Sequence, residues 1–206
     1  MNTPAVADSW ARIDAWLARH TPVSHAQLRP PASVSEIEAA ERTLGVTFHA
    51  DLVASLRCHD GVELKDRAVE LAYYGPPSSL TAIIESTRFL RGVGADLDLP
   101  DDTFDEHDEA DKDDEGNAEL LAYWRHEWLL ITLGIGWQSS DGLFLSCRPG
   151  RNFVRVGRYF DEDSPSFTEW PSLRHALADF AEALERGRRF DSRIPSAVDG
   201  VLTWGD

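Results

Sequence analysis

Cysteine is scarce, with two in 206 residues. Two cysteines build no disulfide framework, and no Cys/His cluster has zinc spacing, so no metal is expected. Basic residues are also few: 20 Lys and Arg face 36 Asp and Glu, giving a formal charge of −16 and a pI near 4.7. Phosphate backbones and anionic membranes both reward positive surface, so nucleic-acid and membrane partners are disfavoured. The uncharged stretch 128–140 falls short of the ~20 residues a spanning helix needs. The opening MNTPAVADSW has neither the basic nor the apolar region of a secretory signal. A reducing, cytoplasmic setting is the expectation.

Catalytic signatures are missing as well. Gly92 and Gly94 lack the third glycine of a phosphate loop, and Gly134 and Gly136 follow an apolar run without opening a helix. The Gly-x-Ser-x-Gly elbow does not occur. Cys58 and His59 are adjacent, but helix neighbours point about 100° apart, so adjacency makes no ion pair. Cys58 reads as a small core residue, and His59 as a helix end meeting the negative pole of the dipole. His20, His25, His49, His107, His126 and His175 are scattered. The carboxylates Glu63, Asp66, Glu70, Asp161, Glu162 and Asp163 show no spacing that selects an acid–base pair. The expectation is no catalytic residue, no cofactor and no enzyme.

What is present is apolar bulk and an uneven charge. Apolar residues make up 42%, with 7 Trp and 9 Phe, enough for a sizeable core, and the length suits a single domain. Residues 96–115 hold twelve acids against Lys112, a net −11 of the total −16. Such a block repels itself and reads as a solvated insert at about 96–117. It serves either as a solubilising segment or as an electrostatic docking arm in which Asp101, Asp102, Asp105 and Glu106 meet a basic partner. Asp111, Asp113, Glu115 and Gly116 have calcium-loop spacing. The twelfth position is Ala122 instead of the closing Glu, which argues against calcium.

Periodicity supplies the elements. Val6, Trp10, Ile13, Trp16 and Leu17 predict a helix near 5–19. Ser33 and Glu36 have capping-box spacing, as do Ser35 and Glu38, directly before a second helix that Gly45 stops. A short extended link at 46–48 leads to a third helix over 51–59. An apolar run at 68–74 predicts a strand, and 79–90 a helix ended by Gly92 and Gly94. The run at 128–132 predicts a buried central strand. Strands at 143–147 and 153–159 follow through short turns, which favours an antiparallel meander. A last helix spans 172–186, and the apolar residues within 188–206 are expected to pack on the body.

Two blocks carry a family resemblance. The first is LRPPASVSEIEAAERTLGVTFHADLVASLRCHDG, residues 28–61, with Pro30 and Pro31, Leu44-Gly45, Phe48 and His59-Asp60-Gly61. The second is WLLITLGIGWQSSDGLFLSCRPG, residues 128–150, with Gly134, Asp141, Pro149 and Gly150. Together they resemble the SUKH superfamily, the group of the fungal Smi/Knr cell-wall assembly regulators and many bacterial relatives. His49 replaces the family's usual Pro, and Ser140 precedes Asp141 where a Gly-Asp pair is common.

The resemblance implies an α+β fold, with a mainly antiparallel sheet flanked by helices, in a single SUKH-like domain. It also implies a protein-binding role. Bacterial members are regarded as immunity proteins that neutralise polymorphic toxins, often nucleases, and fungal members as regulatory interaction proteins. The leading expectation is therefore an immunity module occluding a basic, nuclease-type toxin. The alternative is a regulatory or scaffold module with a cellular partner. Candidate contacts besides the acidic insert are Trp137, Gln138 and Asp141. Trp137 serves equally as a core residue, and Asp141 as a turn residue bonded to nearby backbone.

Overall fold

The computed structural model describes residues 3–63, 67–95, 124–133, 141–147, 153–160 and 163–206. The calls at Asp101, Asp102, Asp105, Glu106, Gly134, Trp137, Gln138, Pro149 and Gly150 lie outside these residues, as does the calcium-like spacing.

The helices follow the apolar periods. Helix α1 (Val6–His20) buries Val6, Trp10, Ile13 and Leu17 along one stripe. A single helical turn, α2 (Pro22–His25), follows with Pro at its start. Helix α3 (Val34–Leu44) opens on a complete capping box, Ser33 with Glu36, and closes on Gly45 at φ 68°. Only a residue without a Cβ takes that left-handed turn without cost. Helix α4 (Ala50–Leu56) is capped by the His49 ring, which accepts from the Asp51 amide. Helix α5 (Leu80–Ala95) comes next, and α6 (Leu173–Arg186) ends at Gly187, again left-handed.

Four strands form one antiparallel sheet in sequential order: β1 (Trp128–Leu130), β2 (Gly142–Ser146), β3 (Val156–Phe160) and β4 (Asp163–Phe167). The register pairs Leu130 with Phe144, Phe144 with Gly157, and Gly157 with Phe167. A separate hairpin, β5 (Ile194–Val198) and β6 (Val201–Gly205), follows α6. The molecule is therefore α+β with a mainly antiparallel meander flanked by helices.

Alternation in the strands divides two cores. Leu129, Leu143 and Leu145 point into the main core, with the stripes of α1, α3 and α6. Trp128, Leu130 and Phe144 point the other way, into an aromatic cluster with Trp124 and with Leu90 of α5. There Trp128 and Phe144 stack at 4.1 Å, and Trp124 meets both edge-on. Gly157 lies beneath the Phe144 ring, where a Cβ would run into the ring atoms.

Several expectations are corrected. The run 128–132 is buried but lies at the sheet edge, not its centre. Its outer edge is covered: Leu130 N donates to Thr87 Oγ1 of α5, Leu133 N to Pro76 O, and Ser78 N to Ile131 O. A covered edge buries as fully as a central strand, so apolarity alone does not tell them apart. The run 68–74 is no strand. Arg67 and Ala72 have φ of 76° and 51°, and Ala72–Tyr74 makes a 3₁₀ turn. Five of its seven residues are nonetheless buried, so the pattern reported burial and not conformation. Helix α5 runs through Gly92 and Gly94 to Ala95, since a glycine stops a helix only where the chain takes the left-handed turn. Strand β4 and the β5–β6 hairpin were not foreseen.

Helix α4 ends at Leu56, before Cys58 and His59. Cys58 is partly exposed at the core's margin. His59 does not finish a helix; its ring turns inward. In the C-terminal segment, Phe190 is fully buried, stacked at 4.8 Å on Trp170, with Phe180 and Trp204 beside it.

Candidate functional site

The tripeptide His59-Asp60-Gly61 is a junction of three elements. His59 Nε2 lies 3.1 Å from both Asp14 oxygens on α1, and Nδ1 lies 3.0 Å from the Arg29 carbonyl. Both neighbours are acceptors, so both ring nitrogens must donate, which favours the imidazolium. Burial by itself would lower the His59 pKa. The hydrogen bonds to Asp14 and Arg29 and the Asp14 charge outweigh it, and the net shift is upward. Trp10 meets the ring edge-on and sends its indole N–H to Ser55 Oγ at 2.9 Å.

Asp60 reaches the opposite way. Its Oδ1 accepts from Leu80 N at 2.7 Å, capping α5 from twenty residues away, and its Oδ2 lies 3.4 Å from Arg29 Nε. Gly61, at φ 65°, lets the backbone pass against Ser78 and Ser79, with no room for a Cβ. The motif thus fixes α1, the 27–30 segment and the start of α5 to one another.

A groove lies on another face, on both sides of Trp170. One depression of about 620 Å³ is lined by Arg12, Trp170, His175 and Glu182 among others, the second of about 480 Å³ by Tyr74, Arg158, Trp170 and Arg189 among others. They share Glu169, Trp170 and Asp179. Asp179 is engaged on both oxygens: Oδ2 accepts from Trp170 Nε1 at 3.1 Å, and Oδ1 from Arg188 at 2.6 Å. Tyr73 donates to Asp191 at 2.5 Å and stands 3.1 Å from the Tyr74 hydroxyl. Burial, reinforced by the Tyr73 hydrogen bond and the Asp191 charge, pushes the Tyr74 hydroxyl far above the ordinary tyrosine range.

Ser172 Oγ and His175 Nδ1 are 3.0 Å apart at the start of α6. Ser172 is 8% exposed, and the bond spans the first turn of the helix. Ser172 Oγ makes no capping bond to the helix backbone, so the pair is a local side-chain contact within the first turn. Among the described residues there is no group of three or more His, Cys, Asp and Glu able to hold a metal. No described helix is long and apolar enough to cross a membrane.

Of the expected contact residues, the described structure includes only Asp141, half-buried before β2 and already engaged in an interaction. Pro31, Leu44, Gly45 and Phe48 shape the α3–α4 region, Leu44 and Phe48 as core residues. The groove went unrecognised in the sequence. Tyr74, Arg158 and Trp170 come from three separate segments and Arg189 with Asp191 from a fourth, and no local spacing joins the four.

The fold and the junction define a class: an α+β domain whose short motifs are architectural, placing helices against an antiparallel meander. The chain belongs to the SMI1 / KNR4 family (SUKH-1), whose model matches residues 31–179. It is 38% identical over 92 residues to a KNR4/SMI1 homolog of Eremothecium gossypii, covering 43% of this chain and 14% of that protein. A KNR4/SMI1 homolog of Kluyveromyces lactis is 33% identical over 93 residues, covering 44% and 17%. Cell wall assembly regulator SMI1 of Saccharomyces cerevisiae is 30% identical over 92 residues, covering 43% and 18%. The chain thus spans less than a fifth of these relatives.

Proposed function

We propose that this protein is a non-catalytic protein-binding module of the regulatory or scaffold kind, acting on a cellular partner by fitting its surface. The observation that carries the reading is the family match over 31–179, together with the likeness to a cell wall assembly regulator. The motif His59-Asp60-Gly61 is spent on internal contacts, which agrees with a fold kept for its shape. These observations support the regulatory role better than toxin immunity. The immunity reading keeps one observation in its favour, the twelve acids of 96–115, which complement a basic nuclease cleft.

The test is capture of partners on the immobilised full chain, then reconstitution of the binary complex by calorimetry at physiological and at high salt. A stoichiometric complex of about micromolar affinity or tighter with a cellular regulatory or structural protein supports the proposal. A complex with a basic nuclease whose activity is blocked, lost at high salt or on deletion of 96–115, selects the immunity role instead. Reproducible turnover of a small substrate, abolished by one substitution, would overturn both.

A further inference from the structure

We propose that the depression between Arg158 and Arg189, on the Tyr74 side of Trp170, is a docking pocket for the carboxylate side chains of an acidic peptide segment on the partner. The inference rests on the protein-binding reading and names the chemistry of what is bound.

The argument is one of spent and unspent hydrogen-bonding capacity. Arg158, on β3, gives Nε to Ser166 Oγ at 2.9 Å, which fixes the plane of its guanidinium. Among the described residues its two Nη groups have no partner. That end of the fork presents the two parallel N–H bonds that grip a carboxylate. Arg189 is exposed and gives one Nη to the Ser192 carbonyl, leaving its other N–H groups unmatched among the described residues.

The acids of the wall are largely occupied. Each Asp179 oxygen already accepts a bond, from Trp170 and from Arg188, and Arg188 is in turn held by Asp179 and Glu182. Asp191 receives Tyr73 and Ser192 on one oxygen. Among the described residues, Glu169, exposed on the rim shared with the second depression, has no such bond. An arriving carboxylate therefore meets unmatched donors over an aromatic floor of Tyr74, Phe167 and Trp170.

The overall charge does not forbid this. Outside 96–115 the formal charge is −5 of the total −16, and at physiological salt exposed charges beyond about 8 Å are largely screened, so the groups lining the pocket set its field. Continuity with the larger depression past Trp170 gives room for an extended segment, not only a free acid.

The experiment is fluorescence anisotropy of a labelled, amide-capped oligoglutamate peptide on the full chain at physiological ionic strength. An oligoglutamine peptide and an oligoglutamine with a free C-terminus run alongside. The expected result is saturable binding of oligoglutamate alone, weakened about tenfold by Arg158→Gln, the scale of one charge-assisted hydrogen bond. Arg158→Lys retains charge but not the fork and falls between. Arg189→Gln, on an exposed side chain that the fold does not need, weakens binding several-fold. Arg57→Gln, exposed and remote in sequence, leaves it unchanged.

Equal binding by the capped oligoglutamine, preference for the free C-terminus, or full affinity in both Arg158→Gln and Arg189→Gln would overturn the proposal. If the reconstituted partner complex survives those two variants intact, the pocket is refuted and the module reading stands. If oligoglutamate behaves as expected but no protein partner is found, the pocket is supported and the module reading fails.

Discussion

Replacing His59 with Asn isolates the junction's charged contact. The Asn amide sits where Nδ1 does and still donates to the Arg29 carbonyl, but it cannot reach Asp14. What is lost is a charge-assisted bond at 3.1 Å to a carboxylate, made by a side chain only 18% exposed. Such bonds contribute about 1.5–3 kcal/mol, so about 2 kcal/mol is expected at pH 6. With a urea slope of about 2–3 kcal/mol/M, the midpoint falls by about 0.7–1 M.

The loss depends on pH. The His59 pKa is raised above 6.5 in the folded state, so its contribution is fully present below 6.5 and disappears as pH rises through the folded value. The gap between parent and variant is therefore larger at pH 6 than at pH 9. His25 Nε2 also stands 3.8 Å from Asp14. The comparison is accordingly made in a His25→Gln background. Asp60, Arg29 and the Cys58 thiol, itself raised by burial and by Asp14, complete the surroundings. Urea denaturation followed by tryptophan fluorescence at several pH values measures the gap. A gap that is constant or widens toward pH 9 would refute the imidazolium assignment.

The Phe144 ring occupies the space a Cβ at Gly157 would need, so Gly157→Ala is expected to cost about 2 kcal/mol or more in thermal or urea unfolding. Phe144→Ala removes the centre of the aromatic cluster and should cost about 3–5 kcal/mol, with a change in the near-ultraviolet circular dichroism of Trp124 and Trp128. Ser33→Ala breaks the capping box of α3 and should cost about 1 kcal/mol, read from the urea midpoint. Burial pushes the Cys147 thiol up to about 11. Mass spectrometry should therefore find iodoacetamide adding to partly exposed Cys58 first at pH 8, and to Cys147 only as the protein unfolds.

Features governed by neighbours in the chain were the legible ones. The α3 cap, its glycine stop and the stripes of α1 and α6 appear in the sequence as fixed offsets, because helix geometry is local. The apolar run at 68–74 misled for a physical reason: a buried irregular segment and a strand both need apolar residues, and only the backbone angles distinguish them. The edge position of β1 was hidden in the same way. Its cover comes from Thr87 and from the 76–78 segment, far upstream in the chain.

Composition and spacing alone determined that the chain has a packed core, where α1, α3 and α6 begin and end to within a residue, that its strands form an antiparallel meander, and where its negative charge is concentrated. Those properties follow from hydrophobic bulk, from periods of 3.6 and 2, and from counting. The tertiary structure decided that His59 meets Asp14 across 45 positions, that Asp60 caps a distant helix, and that Arg158 and Arg189 face one depression. Each of these depends on how whole elements pack and in what register, and that is set by the sum of many weak contacts between remote residues, which no local pattern spells out.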